Sequence, residues 1–446
     1  MVAYLHLVFF MVLAVLLPFI PVEYLLRFLL VIIIVLIMMR DRRSEITRSI
    51  LGISSALFIL GIIDLFMVSL GYKFPLYIIS ASICITCAGS VAASLIKLSW
   101  KSQEIEDKTI SAVSSIAFIV IGAVLACIIA YWTVEKLDLH VTLSQLFFLT
   151  LLGSVTGALL ESIPSKTDKN FILILGTSMV MWLFASFGYY VNFNHLTTAF
   201  VFSLVLAYLA YRLDIADVSA MHAATLLGVL IIVFTNINWY LVLITFFLLG
   251  GGFTRYRYAY KLRKGIAQSK HGVRSYINVF SNSTAALILA VLYGVYHGLY
   301  PQLGIVLMFG YLGSVATATG DTLASEIGVT NKGKPIMITT LKPVEPGTDG
   351  AVSLLGEMVC ILGSLIIGIL ALVLVIDVEP LSPFTYIIWV FIIVLGGFAG
   401  TNFDSLLGAT LQQRGYLSNS GVNFVSTFFG AFISGTAYFL LSGHVV

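Results

Sequence analysis

Charged residues are scarce in this chain of 446 residues. They make up 10% of it, whereas roughly a quarter of the residues of a soluble globular protein are charged. Hydrophobic residues account for 59%, and no polar segment is long enough to form a soluble domain. The composition therefore excludes a soluble enzyme or binding module and predicts a polytopic membrane protein.

Several sequence signatures of catalysis are also missing. The chain has no G-x-x-x-x-G-K-[ST] loop and no set of protein-kinase motifs, which excludes a nucleotide-binding fold of the soluble type. Its histidines never have the H-E-x-x-H spacing, and this argues against zinc. Among the four cysteines, Cys84 and Cys87 form a C-x-x-C within an apolar run. With no histidine or second cysteine pair nearby, they are predicted to pack rather than to bind metal or exchange electrons.

Hydrophobic stretches near the ~20 residues needed to cross a bilayer recur along the whole chain. Each is expected to be an α-helix, because backbone groups in lipid must be paired within the segment and no alternating barrel pattern occurs. The first stretch lacks the basic start and cleavage site of a signal peptide. The predicted fold is thus an all-α transmembrane bundle. Its fifteen spans lie at about 3–20, 22–39, 46–70, 75–97, 109–132, 143–163, 170–190, 195–212, 217–234, 237–253, 276–297, 301–321, 350–376, 384–410 and 423–442.

The positions of Lys and Arg predict how these spans are oriented. Basic residues concentrate in cytoplasmic loops, and a cytoplasmic N-terminus with an external C-terminus places 21 of the 24 on that side. The net charge of +3 follows from these loops and indicates no nucleic-acid partner. We expect an integral membrane protein, in the plasma membrane of a prokaryote. The predicted cytoplasmic loops are Arg40–Arg48, Lys97–Lys108, Lys166–Lys169, Arg212, Arg255–Arg274, Lys332–Lys342 and Arg414.

Intramembrane polar groups divide the chain into two parts. Residues 1–190 are predicted to be accessory helical hairpins, and residues 191–446 to form a catalytic transmembrane domain, because the later part holds most of the Gly-flanked acids. Polar or charged side chains within spans are costly and mark candidate functional sites. We expect these acids to meet at the cytoplasmic ends of the helices.

Three groups of acids carry this expectation. Asp321 and Ser325 share a helix face, with Glu326 beside it. Asp349, Ser353 and Glu357 follow one another at i, i+4 and i+8, and are predicted to form a polar stripe on the helix that begins near 350. Helix capping explains the first of these positions and not the third. The third group, Asn402, Asp404 and Ser405, lies late in its span among glycines that permit close helix packing.

Basic and amide side chains are expected at the same level. Arg274, Asn278 and Asn282 open one span, and Lys342 lies in the loop before another. Carboxylates are hard oxygen ligands for Mg²⁺, which also keeps substrate phosphates as ligands, and cations balance the remaining phosphate charge. The pattern therefore favours a site for magnesium and a nucleoside triphosphate.

Four ordered motifs resemble a known family. They are Arg274 with Asn278-Val-x-x-Asn282, Asp321-x-x-Ala-Ser-Glu326-x-Gly328, Lys342-Pro-x-x-Pro-Gly347-Thr348-Asp349-Gly350-Ala-Val-Ser353, and Asp404-Ser-Leu-Leu-Gly-Ala-x-x-Gln412. Over residues 200–446 the chain resembles the integral-membrane phytyl phosphate kinases of plants and cyanobacteria, whose animal relatives are the transmembrane protein nineteen group. More distantly it is similar to CTP-dependent phytol and dolichol kinases and CDP-diacylglycerol synthases.

The resemblance implies Mg²⁺-dependent phosphoryl transfer from a nucleoside triphosphate, with CTP as the expected donor, to a membrane-embedded isoprenyl monophosphate, which gives the diphosphate. It implies Asp321, Asp349, Asp404 and Lys342 as catalytic residues, and Asp321, Glu326, Asp349 and Asp404 as magnesium ligands. The residues expected to bind nucleotide or phosphate are Arg274, Asn278, Asn282, Ser325, Gly347, Thr348, Gly350, Ser353 and Asn402.

Two other functions remain open on sequence. A cytidylyltransferase would use the same metal and cations, with the lipid phosphate attacking the α-phosphorus of CTP and releasing diphosphate. A secondary transporter would also have many spans and intramembrane acids. Transporter sites, however, usually lie near the bilayer midplane on broken helices, which disfavours this alternative here.

Overall fold

A computed structural model describes residues 5–38, 44–100, 107–189, 191–265, 272–331, 333–376 and 382–445, with side chains up to 441. Parts of three predicted cytoplasmic loops, at 40–43, 101–106 and 266–271, lie outside the described residues, as does Lys332 of a fourth. The chain divides into two compact units, residues 1–198 and 199–446. We call them unit 1 and unit 2; the division falls a few residues beyond the boundary predicted at 190.

Unit 1 is helical throughout its described part. Its fourth and fifth helices form one continuous rod, because the π-helical turn Ile85–Gly89 joins them. At the start of the seventh, Thr142 and Gln145 form a capping box that pairs otherwise free backbone groups. The helices are α1 Leu5–Leu16, α2 Val22–Met38, α3 Glu45–Ser69, α4 Leu76–Cys84, α5 Ser90–Trp100, α6 Asp107–Lys136, α7 Leu143–Ser162, α8 Lys169–Ser186 and the first residues of α9 Phe193–Arg212.

Unit 2 contains the rest of α9 and eight further helices. One of these, α12, has six residues and was not predicted. A short antiparallel pair of strands lies between α14 and α15, with Ile336 opposite Val352. The elements are α10 Val218–Phe234, α11 Ile237–Arg255, α12 Tyr258–Arg263, α13 Tyr276–Tyr296, α14 Pro301–Gly328, β1 Ile336–Met337, β2 Ala351–Val352, α15 Leu354–Leu374, α16 Pro383–Leu407 and α17 Asn419–Val445.

Each of the fifteen predicted spans coincides with a helix, so the predicted polytopic helical bundle is confirmed. Twelve of the helices in the described residues are long and apolar enough to cross a membrane, and Leu5–Phe19 and Val218–Phe234 are shorter apolar helices. The orientation of the bundle stays a prediction.

The predicted positions of two helix ends near the site are wrong. Helix α14 continues to Gly328 instead of stopping at 321, and α15 begins at Leu354 instead of 350. Asp349 therefore lies in a turn, and Ser353 is the N-cap of α15. The predicted polar stripe of Asp349, Ser353 and Glu357 along one helix does not form. The reason is the positive φ of Gly350, 79°, which ends any helical path at that point.

Small residues let the helices of unit 2 approach at backbone distance. Thr317 of α14 donates a hydrogen bond of 3.2 Å to the carbonyl of Gly396 in α16. A Cβ on Gly400 would lie 2.3 Å from Thr317 Oγ1, and one on Gly430 of α17 would also overlap this hydroxyl. Such contacts take the place of large apolar side chains where helices pack closely in membranes. We call this contact of α14, α16 and α17 the glycine seam.

Candidate functional site

Polar side chains of unit 2 line a cavity of about 270 Å³. They come from the start of α13, the end of α14, the loop 329–353, the first turn of α15, the end of α16 and the start of α17. The structure thus brings together most of the predicted site residues. Those that line the cavity are Arg274, Asn278, Asn282, Asp321, Ser325, Gly347, Thr348, Asp349, Gly350, Ser353 and Asp404.

The glycine seam explains how two of the carboxylates meet. Asp321 follows Thr317 by four residues on α14, and Asp404 follows Gly400 by four residues on α16. One helical turn beyond the same backbone contact, both side chains therefore reach the cavity. They are close enough to interact electrostatically, and Asp404 interacts in the same way with Asp349. A bound cation would stabilise the ionised form of carboxylates that lie so close together.

A hydroxyl from a third helix orients Asp404. Ser426 of α17 donates a hydrogen bond of 2.9 Å to Asp404 Oδ2. The bond fixes the direction in which the Asp404 carboxyl group points within the cavity.

The loop 329–353 closes one side of the cavity as a small hairpin. Beside the strand pair, Gly350 packs directly on the π-helical turn Gly408–Gln412 that ends α16, and a Cβ on Gly350 would lie 2.5 Å from Ala409. Gln413 holds the same turn by donating a hydrogen bond of 2.7 Å to the carbonyl of Asp349. The resemblance gave Gly350 the role of a close approach to phosphate. In the structure its close contact is with α16.

Among the described residues that line the cavity, Arg274 is the one basic side chain. Its backbone is fixed by Ile215 and Asp217, which bond its N–H and its carbonyl at 2.9 Å each. The side chain is 6% exposed, and its guanidinium lies 5.6 Å from the centre of the Phe246 ring. Burial lowers the pKa of Arg274, while the nearby Glu326 carboxylate acts in the opposite direction.

Two nitrogens of the buried guanidinium, Nε and Nη2, have no hydrogen-bond partner among the described residues. Buried polar groups are nearly always paired, and an unpaired charged donor is especially costly. Arg274 also lines the cavity, where its positive charge would attract an anionic ligand. The charge and burial of this side chain make the cavity a candidate anion site.

A row of amides forms another side of the cavity. Asn282 donates a hydrogen bond of 3.0 Å to the carbonyl of Asn278 and accepts one of 3.4 Å from Asn423. Asn423 and Asn419 of α17 also line the cavity, although the sequence did not predict them as site residues. Their signal was present, since they are spaced i, i+4 at the start of a span as Asn278 and Asn282 are.

Three predicted site residues are not among the residues that line the cavity. Asn402 contacts the cavity only indirectly. It donates a hydrogen bond of 3.0 Å to Glu357, and Glu357 lines the cavity. Lys342 is exposed on the loop. Glu326 is buried and forms an ion pair of 2.5 Å with Lys261. Of these roles, the structure supports an indirect one for Asn402 and gives Lys342 no contact with the cavity.

The carboxylates suit a magnesium ion that also binds substrate phosphates. They do not suit a metal ion that is held by protein side chains alone. Throughout the described ranges, no group of three or more His, Cys, Asp or Glu side chains is arranged to hold a metal alone. Mg²⁺ is usually bound through one or two carboxylates together with substrate phosphates. Asp321 and Asp404, beside an arginine with free donors, fit this donor set.

Part of the chain matches a known family. Residues 201–431 match the model of a family described as integral membrane protein DUF92. All the residues that line the cavity lie within this range. No solved structure matches the chain.

Relatives come from an archaeon, a cyanobacterium and a plant. An uncharacterized membrane protein of Methanocaldococcus jannaschii is 30% identical over 236 residues, which are 52% of this chain and 90% of the relative. An uncharacterized membrane protein of Synechocystis is 35% identical over 47% of this chain and 78% of its own length. Protein VTE6 of Arabidopsis thaliana, which is chloroplastic, is 27% identical over 48% of this chain and 63% of its own length. The expected kinship with a plant and cyanobacterial membrane family is confirmed.

Proposed function

The chain belongs to the integral membrane protein family DUF92, and from this premise we propose that it transfers a phosphoryl group from a nucleoside triphosphate to an isoprenyl monophosphate in the membrane. The observation that carries the proposal is the cavity itself. It combines two carboxylates from adjacent helices, Asp321 and Asp404, with the buried, unpartnered guanidinium of Arg274. Phosphoryl transfer needs this combination of metal ligands and phosphate donors.

Kinship with protein VTE6 supports a prenyl phosphate kinase-like activity. The four motifs that resemble the phytyl phosphate kinases belong to the same kinship, and most of their polar residues line the one cavity. We propose CTP as the donor and Mg²⁺ as the metal, both on the strength of that resemblance. An amphiphilic acceptor also suits a membrane protein, since its chain partitions into lipid while its phosphate stays at the interface.

In the proposed reaction, Arg274 binds a phosphate through the donors that have no protein partner. Asp321 and Asp404 would hold Mg²⁺, which would offset the negative charge of the phosphates. An oxygen of the lipid phosphate forms a bond to the terminal phosphorus of the nucleotide, and the bond from that phosphorus to the nucleoside diphosphate breaks. The attacking oxygen is already ionised, so positioning matters more than a strong general base.

The products test this assignment. We expect purified protein in lipid nanodiscs, given labelled CTP, Mg²⁺ and a prenyl monophosphate, to release CDP and form the prenyl diphosphate. Release of diphosphate with a CDP-lipid would contradict it and establish the cytidylyltransferase. Transport of a prenyl phosphate without nucleotide turnover would contradict both enzymes.

Exchange of each carboxylate for an amide tests the site. Asp321→Asn, Asp349→Asn and Asp404→Asn should each lower turnover by a factor on the order of 100 or more, because each removes a charge from the cavity. The readout is product formation at equal amounts of folded protein. Asp107→Asn, at an exposed aspartate in unit 1, is the control and should keep full activity. Near-normal turnover in all three cavity variants would contradict the assignment.

A further inference from the structure

A lysine lies fully buried in the short helix α12. Lys261 is 1% exposed although its neighbours Leu262, Arg263 and Lys264 are exposed. Its Nζ donates hydrogen bonds of 3.2 and 2.9 Å to the carbonyls of Phe253 and Thr254 and of 2.5 Å to Glu326 Oε2. A lysine is almost never buried without such pairing.

Glu326 lies between this lysine and the cavity arginine. It is 4% exposed, and its second oxygen, Oε1, has no partner among the described residues. It also interacts electrostatically with Arg274, whose Nε and Nη2 have no partner either. A carboxylate with an unused acceptor and a guanidinium with unused donors thus lie near each other without a direct ion pair.

The charges of the three residues explain this arrangement. Glu326 carries one negative charge, and Lys261 takes it at hydrogen-bond distance. We infer that Lys261 is a positioning residue, which holds Glu326 and so leaves the positive charge of Arg274 available to an anion in the cavity. Without Lys261, the buried Glu326 charge would still interact with Arg274, and a pair between them would cancel the attraction for phosphate. The inference rests on the proposed function only for the identity of that anion, a phosphate.

A purely structural ion pair, which anchors α12 and nothing more, makes a different prediction. In that case Lys261→Met and Glu326→Gln should harm the protein alike, because each leaves one buried charge unpaired. Under the positioning role the two changes act on anion binding with opposite signs. Loss of Lys261 frees a competing carboxylate, whereas loss of the Glu326 charge removes the competitor.

The experiment measures binding of inorganic pyrophosphate to the full chain in nanodiscs, by calorimetry, beside the thermal midpoint of each variant. We expect Lys261→Met to weaken binding about tenfold or more, Glu326→Gln to bind at least as well as the wild type, and the double variant to regain wild-type affinity. The thermal midpoint should fall in both single variants. Lys264→Met, an exposed lysine in the same segment, is the matched control and should change neither quantity.

Opposite shifts in affinity with parallel losses of stability support the inference. Weaker binding in both single variants, unchanged binding in Lys261→Met, or a wild type that binds no pyrophosphate overturns it. If Lys261→Met does not fold, the test rests on Glu326→Gln and the double variant, and weaker binding in either one overturns the inference.

A competition experiment then identifies which phosphate compound the site binds, since CTP or a prenyl monophosphate should displace pyrophosphate. If neither compound displaces it, the assignment of a phosphate site is contradicted. Pyrophosphate binding with the expected shifts but no phosphoryl transfer would contradict the proposed function while leaving this inference intact.

Discussion

Arg274 shows what a single side chain reveals about the site. Its guanidinium fits beside Gly250 of α11, where a Cβ would lie 2.6 Å from Nη2. The glycine is therefore part of how the cation is placed, although it does not line the cavity. Its signal in the sequence is weak, because it belongs to a run of three glycines that also suits simple helix packing.

Gly250→Ala should displace the guanidinium and weaken pyrophosphate binding about tenfold or more, the effect of losing one charge-assisted hydrogen bond. Gly252→Ala on the same helix is the matched control, because a Cβ there meets nothing within 4 Å and both changes alter helix propensity alike. Affinity is measured by calorimetry. Equal affinity in the two variants would show that Gly250 does not place Arg274.

Sequence reasoning found individual residues better than their partners. The motifs identified Arg274, Asp321 and Asp404, all of which line the cavity. They gave Glu326 as a magnesium ligand, whereas the structure pairs it with Lys261, 65 residues away in the chain. No local pattern indicates a contact over that distance, because it depends on how the segment after α11 folds back.

At the scale of elements, the loop 329–353 differs most from expectation. Hydropathy predicted a span from 350, and the apolar character of the segment is correct. A hydropathy profile does not detect backbone turns. Because Gly350 has a positive φ, the chain forms a turn followed by β2 where a helix start was expected. The same limit applies to the π-helical turns Ile85–Gly89 and Gly408–Gln412, because a hydropathy profile does not distinguish a π-helical turn from an α-helix.

Gly350→Ala tests whether this turn closes the cavity. A side chain in the left-handed region costs about 1–2 kcal/mol, and here its Cβ would also overlap Ala409. We expect lower thermal stability and faster proteolysis of the loop in the presence of nucleotide. Gly333→Ala, in the same loop with only a 3.7 Å contact to Asn331, should behave as the wild type. A Gly350→Ala protein as resistant as the wild type would exclude this role.

At the scale of the whole molecule, about half of this chain matches nearly the whole length of a smaller relative. The Methanocaldococcus jannaschii relative has 90% of its length matched by 52% of this chain, so that protein consists almost entirely of the shared region. The family match at 201–431 falls within unit 2. Residues of α9 belong to this core, since Ser203 packs on Gly228 and Phe202 lies 6.3 Å from the ring of Tyr240.

A fragment of residues 191–446 should therefore insert as a folded protein and bind pyrophosphate with the affinity of the full chain. Removing α9 as well, in a fragment of residues 213–446, exposes the faces of α10 and α11 that it covers and should cause aggregation. Size-exclusion chromatography and calorimetry provide the readouts. An aggregated 191–446 fragment would show that unit 1 is required for folding and is not an accessory.

The glycine seam has a consequence for how members of the family differ. Because the small side chain of Thr317 in α14 packs on the backbone of Gly396 and Gly400 in α16, one turn before Asp321 and Asp404, no large side chain separates the two helices at this point. We expect substitutions in the loop 329–353 and in the amides of α13 and α17 to leave the spacing of these two carboxylates unchanged. Under the proposed function, changes in acceptor or donor preference would then arise at the periphery of the cavity, around a pair of carboxylates at constant spacing.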